Sequence, residues 1–302
     1  MTAHSAKDHH QGIPGAIALN LAITLLQIVG GVLSNSIALL SDAVHNLGDS
    51  LSLILAYIAG KMGKKAADHR RTFGYARAEV IAALLNTLIL SGITVFLFVE
   101  AIRRFAEPEP VRSGLLILFA FAGLVANVGG MLLLRHGRKG SINVRAAYVH
   151  LLGDALSSLI VIAGGIAMYL FDAMWIDPFL TIIIGLYILY QAYPIFRESI
   201  SILMLSAPVE IPLDQLTASL RGLSGVKNIH HIHLWRPDDH SIHLEAHVDL
   251  EKDIMVSATE AIHRQAEEIM AEKFGIHHLT LQMECDFCES KEIIHQPYHL
   301  DQ

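Results

Sequence analysis

Six stretches of this chain stay apolar for about the twenty residues that a helix needs to cross the hydrocarbon of a bilayer. They are residues 15–33, 36–60, 77–101, 113–134, 145–171 and 178–196. The fourth carries no charge, whereas the second contains Asp42, His45 and Asp49, and the fifth contains His150 and Asp154. From about residue 207 the pattern changes to short amphipathic periods rich in charge. It predicts a helix at 213–223, strands at 226–235 and 241–250, a helix at 256–274 and a strand at 278–284. In the second of these strands Ile242, Leu244, Ala246 and Val248 point one way, and His243, Glu245, His247 and Asp249 the other. The expected architecture is an α-helical six-span transmembrane domain followed by a small cytoplasmic α+β domain of order αββαβ, with its helices on one face of the sheet. The expected divisions are a polar, histidine-containing tail at 1–14, the six-helix domain at 15–206, the cytoplasmic domain at 207–290 and a tail at 291–302.

Composition supports an integral membrane protein. Hydrophobic residues make up 53% of the chain, charged residues only 17%, and the mean hydropathy is +0.45. The first eleven residues are polar and show no signal-peptide pattern. The net charge of −7 and the lack of a basic patch argue against nucleic acid as a partner. Ten basic residues flank the loops after the second and fourth spans, from Lys61, Lys64, Lys65, Arg70, Arg71 and Arg77 to Arg135, Arg138, Lys139 and Arg145. Only Arg103, Arg104 and Arg112 lie on the other side. Basic loops stay in the cytoplasm, so both termini are expected there. Spans two and five then run in opposite directions. The segment from residue 207 on carries a formal −10, which suits the attraction of cations or simple solubility.

Ionisable groups inside a span are costly and usually face the bundle interior, marking an ion path. "HNLGD" and "HLLGD" repeat one pattern, so His45 and Asp49 project from one helix face, as do His150 and Asp154. Together they offer two imidazole nitrogens and two carboxylate oxygens, a set suited to a tetrahedral zinc-like ion. A single polar residue in a span is more often a helix–helix hydrogen bond, the reading adopted for Asn20, Gln27, Asn86 and Asn127. Asp42 is read as structural, with an entry role as the alternative. Gly48, Ser50, Gly153 and Ser157 would let helices approach closely. Such ligands take up protons when the metal leaves, so a carrier built on them could exchange metal for protons. The only cysteines, Cys285 and Cys288, form one CxxC pair, which reads as a metal or redox motif.

In "SIALLSDAVHNLGDS", "RTFGYARAE", "NVRAAYVHLLGDALSS" and "HHIHLWRPDD…HLEAHVDL…LTLQME" the chain resembles the cation diffusion facilitator family of metal/proton antiporters, from about Ala16 to Glu284. The resemblance implies six spans, a metallochaperone-like cytoplasmic domain and a homodimer. It places a transport site on His45, Asp49, His150 and Asp154. Histidine at position 45 resembles the zinc-transporting branch, whereas aspartate there goes with broader selectivity. A cytoplasmic metal site carries over to His230, His247 and Glu284, with Gln282 where some members have histidine. By strand phase alone His230 would be a core histidine, in step with Ile232 and Leu234. Cys285 and Cys288 resemble a pair that some animal relatives use with N-terminal residues, for which His4, His9 or His10 are candidates. A reduced pair without metal is the alternative. A further loop site of some bacterial relatives is not expected, because Arg71 and Tyr75 stand where they have histidines, leaving Asp68 and His69. His231, His233, His240, His243, His263, His277, His278, His295 and His299 are read as mostly surface residues, and His136 as a loop residue.

The expected function is export of Zn2+, or of Cd2+, Co2+ or Ni2+, from the cytoplasm against protons by a multi-pass homodimer in a bacterial inner membrane. Zn2+ is expected both as cargo and at the cytoplasmic site. A membrane-anchored metal sensor is the alternative, but leaves four buried ionisable residues unexplained. An intramembrane metalloenzyme is disfavoured. Neither HxxxD pair has the glutamate of HExxH, and four ligands leave no open position.

Overall fold

The computed structural model describes residues 12–63, 65–134, 142–288 and 290–294. The side chains of His4, His9, His10, Lys64, Arg135, His136, Arg138, Lys139, Arg145, His295 and His299 lie outside this description. The elements run α1 (Gly12–Ser34), α2 (Ile37–Gly63), α3 (Ala78–Ala106), α4 (Ser113–Leu134), α5 (Ile142–Phe171), α6 (Ile176–Leu203), α7 (Leu213–Arg221), β1 (Val226–Trp235), β2 (His243–Leu250), α8 (Val256–Phe274) and β3 (His278–Glu284). They form two compact units. One holds the described residues up to Ala59 with Ala82–Phe196, the other Gly60–Ile81 with the described residues from Arg197 on.

In the first unit α4 packs on both α1 and α5. Leu116, Ala120, Val161, Ile162, Met168, Ile184 and Ile188 form its core. Among the described residues four helices are long and apolar enough to span a membrane: Ala78–Ala106, Ser113–Leu133, Tyr148–Phe171 and Ile176–Leu203. The stretch Asn20–Ser34 of α1 is apolar but shorter. In α2 the run Asp42, His45, Asn46, Asp49 interrupts the apolar sequence.

The α1–α2 turn is held by charge. Asn35 adopts a left-handed conformation, φ 56°. Asp177, fully buried in the first turn of α6, accepts bonds from the Ser36 hydroxyl and the Ile37 and Ala38 amides. The two amides are orphan donors at the start of α2, and a carboxylate suits the positive end of the helix dipole. Arg104 donates to the Asn35 carbonyl at 2.7 Å and to its side-chain oxygen at 2.9 Å. Of the small residues expected to aid packing, Gly48 does so. A Cβ there would come 2.5 Å from Leu90 of α3, whereas the same point at Gly153 is open.

In the second unit β1 pairs antiparallel with β2, and β3 adds parallel to β2 after the α8 crossover. Leu216 and Leu220 of α7, and Ile262, Ala266 and Met270 of α8, close a core against Ile229, Leu244, Ala246 and Val248. α8 ends at Gly275 (φ 65°), whose amide and that of Ile276 satisfy the Ala271 and Met270 carbonyls. β2 starts two residues later than expected. Asp238 accepts from the His240 and Ser241 amides and keeps that stretch in a turn.

Candidate metal centres

The first cluster is built by α2 and α5. His45 and Asp49 lie one turn apart on α2, as do His150 and Asp154 on α5. His45 Nε2 stands 3.7 Å from Asp49 Oδ2 and 3.8 Å from Asp154 Oδ1. His150 Nε2 stands 3.5 Å from Asp49 Oδ2 and 3.5 Å from Asp154 Oδ2. Donor atoms of His45, Asp49 and Asp154 all lie within 4.8 Å of one another. Ligands about 2.1 Å from a tetrahedral ion would be about 3.4 Å apart, close to these separations. Asp154 is buried, and its two carboxylate oxygens and Asp49 Oδ2 have no hydrogen-bond partner. Buried carboxylate oxygens without donors are costly, so the set fits a divalent ion or protons. The Tyr187 ring, from α6, packs against His45 in a T-shaped arrangement.

One turn before His45, Asp42 takes a different part. It is buried and accepts from Gln27 Nε2 of α1 at 2.6 Å and from the Ser157 hydroxyl of α5. Asn46 donates to Gln27 Oε1 at 2.7 Å, and Asn20 to the Asn46 carbonyl. Asp42 thus ties α1, α2 and α5 together beside the cluster. Asn86 joins Ser52 as expected, but Asn127 does not follow suit: both of its amide atoms are buried without a partner.

The second cluster lies on the sheet. His230 Nε2 is 3.0 Å from Glu284 Oε1, and His247 Nδ1 is 3.3 Å from Glu284 Oε2 and 3.3 Å from Cys288 Sγ. Donors of these four residues lie within 4.8 Å of one another. The phase argument that made His230 a core residue fails because β1 is bulged. The register shifts between His230 and His233, and His231 has φ 53°. The extra residue puts Ile229 in the core with Ile232 and Leu234 and leaves His230 on the face of His247. His230 is buried, with no aligned hydrogen bond at either ring nitrogen and Nε2 facing the Glu284 carboxylate, which fits a metal ligand.

Burial pushes the His230 imidazole below its usual range, partly opposed by Glu284, and so favours the neutral form that binds metal. Burial would raise the Glu284 carboxyl, but the Cys288 hydrogen bond and the fields of His230 and His247 bring it below the usual range. The Cys288 thiol is pushed up, chiefly by its hydrogen bond to Glu284.

Cys285 is exposed and stands outside this group, as does exposed Gln282. His243, expected at the surface, is buried: His278 stacks on it at 4.0 Å, with Phe73 and Trp235 alongside. Asp249 is buried too, and no signal in the sequence pointed to Lys291 beside it. In the 65–77 loop Asp68 accepts from the Arg70 and Arg71 amides, Arg71 lies over the Tyr75 ring, and His69 is exposed. Glu79, Asp239 and His240 also come together, but two of the three are exposed and His240 pairs with Asp239.

Comparison with known proteins accounts for both units. Residues 15–204 match the cation efflux transmembrane domain, and residues 208–286 match the cation efflux protein cytoplasmic domain. The metal cation efflux system protein CzcD of Cupriavidus metallidurans is 32% identical over 97% of this chain and 93% of that protein. A cadmium, cobalt and zinc/H(+)-K(+) antiporter of Bacillus subtilis is 36% identical over 87% of this chain and 85% of its own. Zinc transporter ZitB of Escherichia coli is 33% identical over 92% of this chain and 88% of its own. The solved metal-bound C-terminal domain of a CzcD transporter covers 24% of this chain and 99% of its own, at 27% identity and a TM-score of 0.22.

Proposed function

The chain belongs to the cation efflux family, and we propose that it exports Zn2+ or a cation of similar chemistry from the cytoplasm in exchange for protons, through His45, Asp49, His150 and Asp154. It is a multi-pass membrane protein that moves metal cations and is not an enzyme. The observation that carries the finer reading is the first cluster. Donors of His45, Asp49 and Asp154 gather within 4.8 Å of one another, and His150 stands outside that group with its Nε2 3.5 Å from each carboxylate; three of the carboxylate oxygens are buried and unpartnered. Such a set favours zinc-class ions over the all-oxygen shells of calcium and magnesium.

The transport cycle follows from the same donors. With metal bound, the two carboxylates are neutralised by the ion. When the ion leaves, they remain buried and must take up protons or be solvated. A carrier that cycles between metal-loaded and protonated forms couples one flux to the other. The Bacillus subtilis relative is named as an antiporter of metals against protons and potassium, which supports this coupling. We take α1 and α2 as the two further spans, giving six, with both termini in the cytoplasm of a bacterial inner membrane. The family's cytoplasmic domain supports a homodimer. The transport domain is taken as 15–206 and the cytoplasmic one as 207–290. His230, His247, Glu284 and Cys288 would hold a second ion there, with Cys285 outside that set.

The test is metal flux in proteoliposomes for zinc, cadmium, cobalt and nickel under imposed pH gradients. Zinc movement driven by an opposing proton gradient is the expected result. Flux that ignores the gradient would remove the proton coupling. Metal movement that persists in both His45→Ala and Asp154→Ala would remove the site.

A further inference from the structure

The surroundings of the sheet cluster include a group that a metal site does not need. Glu284 stands opposite Asp249 in the parallel register of β3 and β2, and both carboxylates are buried. Like charges in that position repel. Lys291 relieves the repulsion: its Nζ lies 3.1 Å from Asp249 Oδ2 and 3.5 Å from Glu284 Oε1. The backbone brings it there. The His231 amide donates to the Glu292 carbonyl at 3.1 Å, and the Ile232 amide to the Ile293 carbonyl at 2.8 Å. These bonds sit at the same bulge of β1 that presents His230.

The two carboxylates are not equally dependent on Lys291. Asp249 also accepts from the Asp286 amide at 2.8 Å and has Lys227 Nζ at 4.0 Å, itself held by Asp286 at 2.6 Å. Glu284 has His230, His247 and Cys288 as its other neighbours, the same donors that would face an ion. A divalent ion bound by this quartet would supply the charge that Glu284 draws from Lys291, and the two cations would repel at close range.

Resting on the cytoplasmic metal site proposed above, we propose that Lys291 is a tethered counter-cation that sets the metal threshold of that site. It neutralises Glu284 in the metal-free protein and must give way for a divalent ion to bind. Because this strap of residues 291–293 fixes Lys291 beside the carboxylate, the competing cation is intramolecular and stays at a fixed local concentration. The cluster then fills only above a metal concentration that Lys291 defines.

The experiment titrates Co2+ into the full chain carrying Cys285→Ser, so that thiolate-to-cobalt absorption reports Cys288 alone. The spanning cluster has no sulfur donor and is silent in this band. Lys291→Gln is expected to raise apparent Co2+ affinity by roughly three- to thirtyfold, a gain that shrinks with added salt. Lys291→Arg keeps the charge and should stay near the parent. Asp249→Asn, which leaves Lys291 to Glu284 alone, should lower the affinity. It provides the test if Lys291→Gln does not fold. An unmoved affinity in Lys291→Gln, or an equal gain in Lys291→Arg, overturns the proposal while leaving the metal site in place. The absence of any thiolate band in the parent overturns the site itself and the proposal with it.

Discussion

Asp154 is the donor whose loss should cost transport most. Its carboxylate is buried, has no hydrogen-bond donor and faces both imidazoles. An amide in its place offers one neutral oxygen and takes the anion away from His45 and His150. Zinc flux of Asp154→Asn is expected to fall by about a hundredfold or more, at or beyond the upper end of what losing an outer-shell partner costs. Its melting temperature in detergent should hold or rise, because an unpaired buried carboxylate destabilises the metal-free protein. Flux close to that of the unaltered chain would contradict the assignment. His45→Asp is a different change. It keeps four donors but makes three of them carboxylates, so proteoliposomes should retain flux while shifting toward harder cations such as manganese. At the sheet cluster the raised Cys288 thiol gives a signed pH effect. Metal must displace its proton, so metal affinity should fall as pH drops below the raised thiol value, by about tenfold per pH unit for this one proton. Glu284 and His230 shift the other way, toward the forms that bind metal. Cys288→Ser should therefore flatten the slope by about one, read from competition with a chelator between about pH 6 and 8.

At the scale of elements, the α1–α2 turn rests on one side chain from a distant helix. Removing the Asp177 carboxylate orphans the Ser36, Ile37 and Ala38 donors and leaves Arg104 with less countercharge. Asp177→Ala should destabilise the folded protein by about 3 kcal/mol, measured as lost thermal stability in detergent. A melting temperature matching the parent would show that the cap is replaceable. That contact also marks the limit of what the sequence could reveal. Period and composition were enough for the eight helices and three strands of the described residues, because apolar runs and amphipathic phase are local properties. The HxxxD pairs were legible for the same reason, since one helical turn sets each of them. Asp177 reaches across about 140 residues to cap α2, and Asp42 reaches Gln27 and Ser157 on two other helices, so no local pattern records either. Phase alone puts His230 in step with Ile232 and Leu234, and the bulge that turns it to the face of His247 is a break in period that the sequence does not announce. Lys291 looked like one charge in a polar tail until the strap placed it beside Glu284.

Over the whole molecule, two candidate metal clusters with different donors call for different tasks. The spanning cluster has no thiolate, and its carboxylates are unsatisfied without an ion, which suits a site that must load and release. The sheet cluster has a thiol, two imidazoles and a carboxylate whose charge is already met by Lys291, which suits a site that fills when metal is abundant. If the second cluster regulates the first, its loss should change the metal dependence of transport without ending it. His247→Ala with Glu284→Gln is therefore expected to leave measurable zinc flux in proteoliposomes, with a lowered rate and an altered dependence on cytoplasmic-side zinc. In the same assay Asp154→Asn should leave almost none. The comparison discriminates three arrangements. Flux abolished by either change would make both clusters stations on one path. Flux untouched by the tail substitutions would make the sheet cluster a binding site without a transport role. The expected partial loss ties the filling of the cytoplasmic site to the rate of the membrane cycle, as an acidic tail that samples metal before the carrier commits to moving it would require.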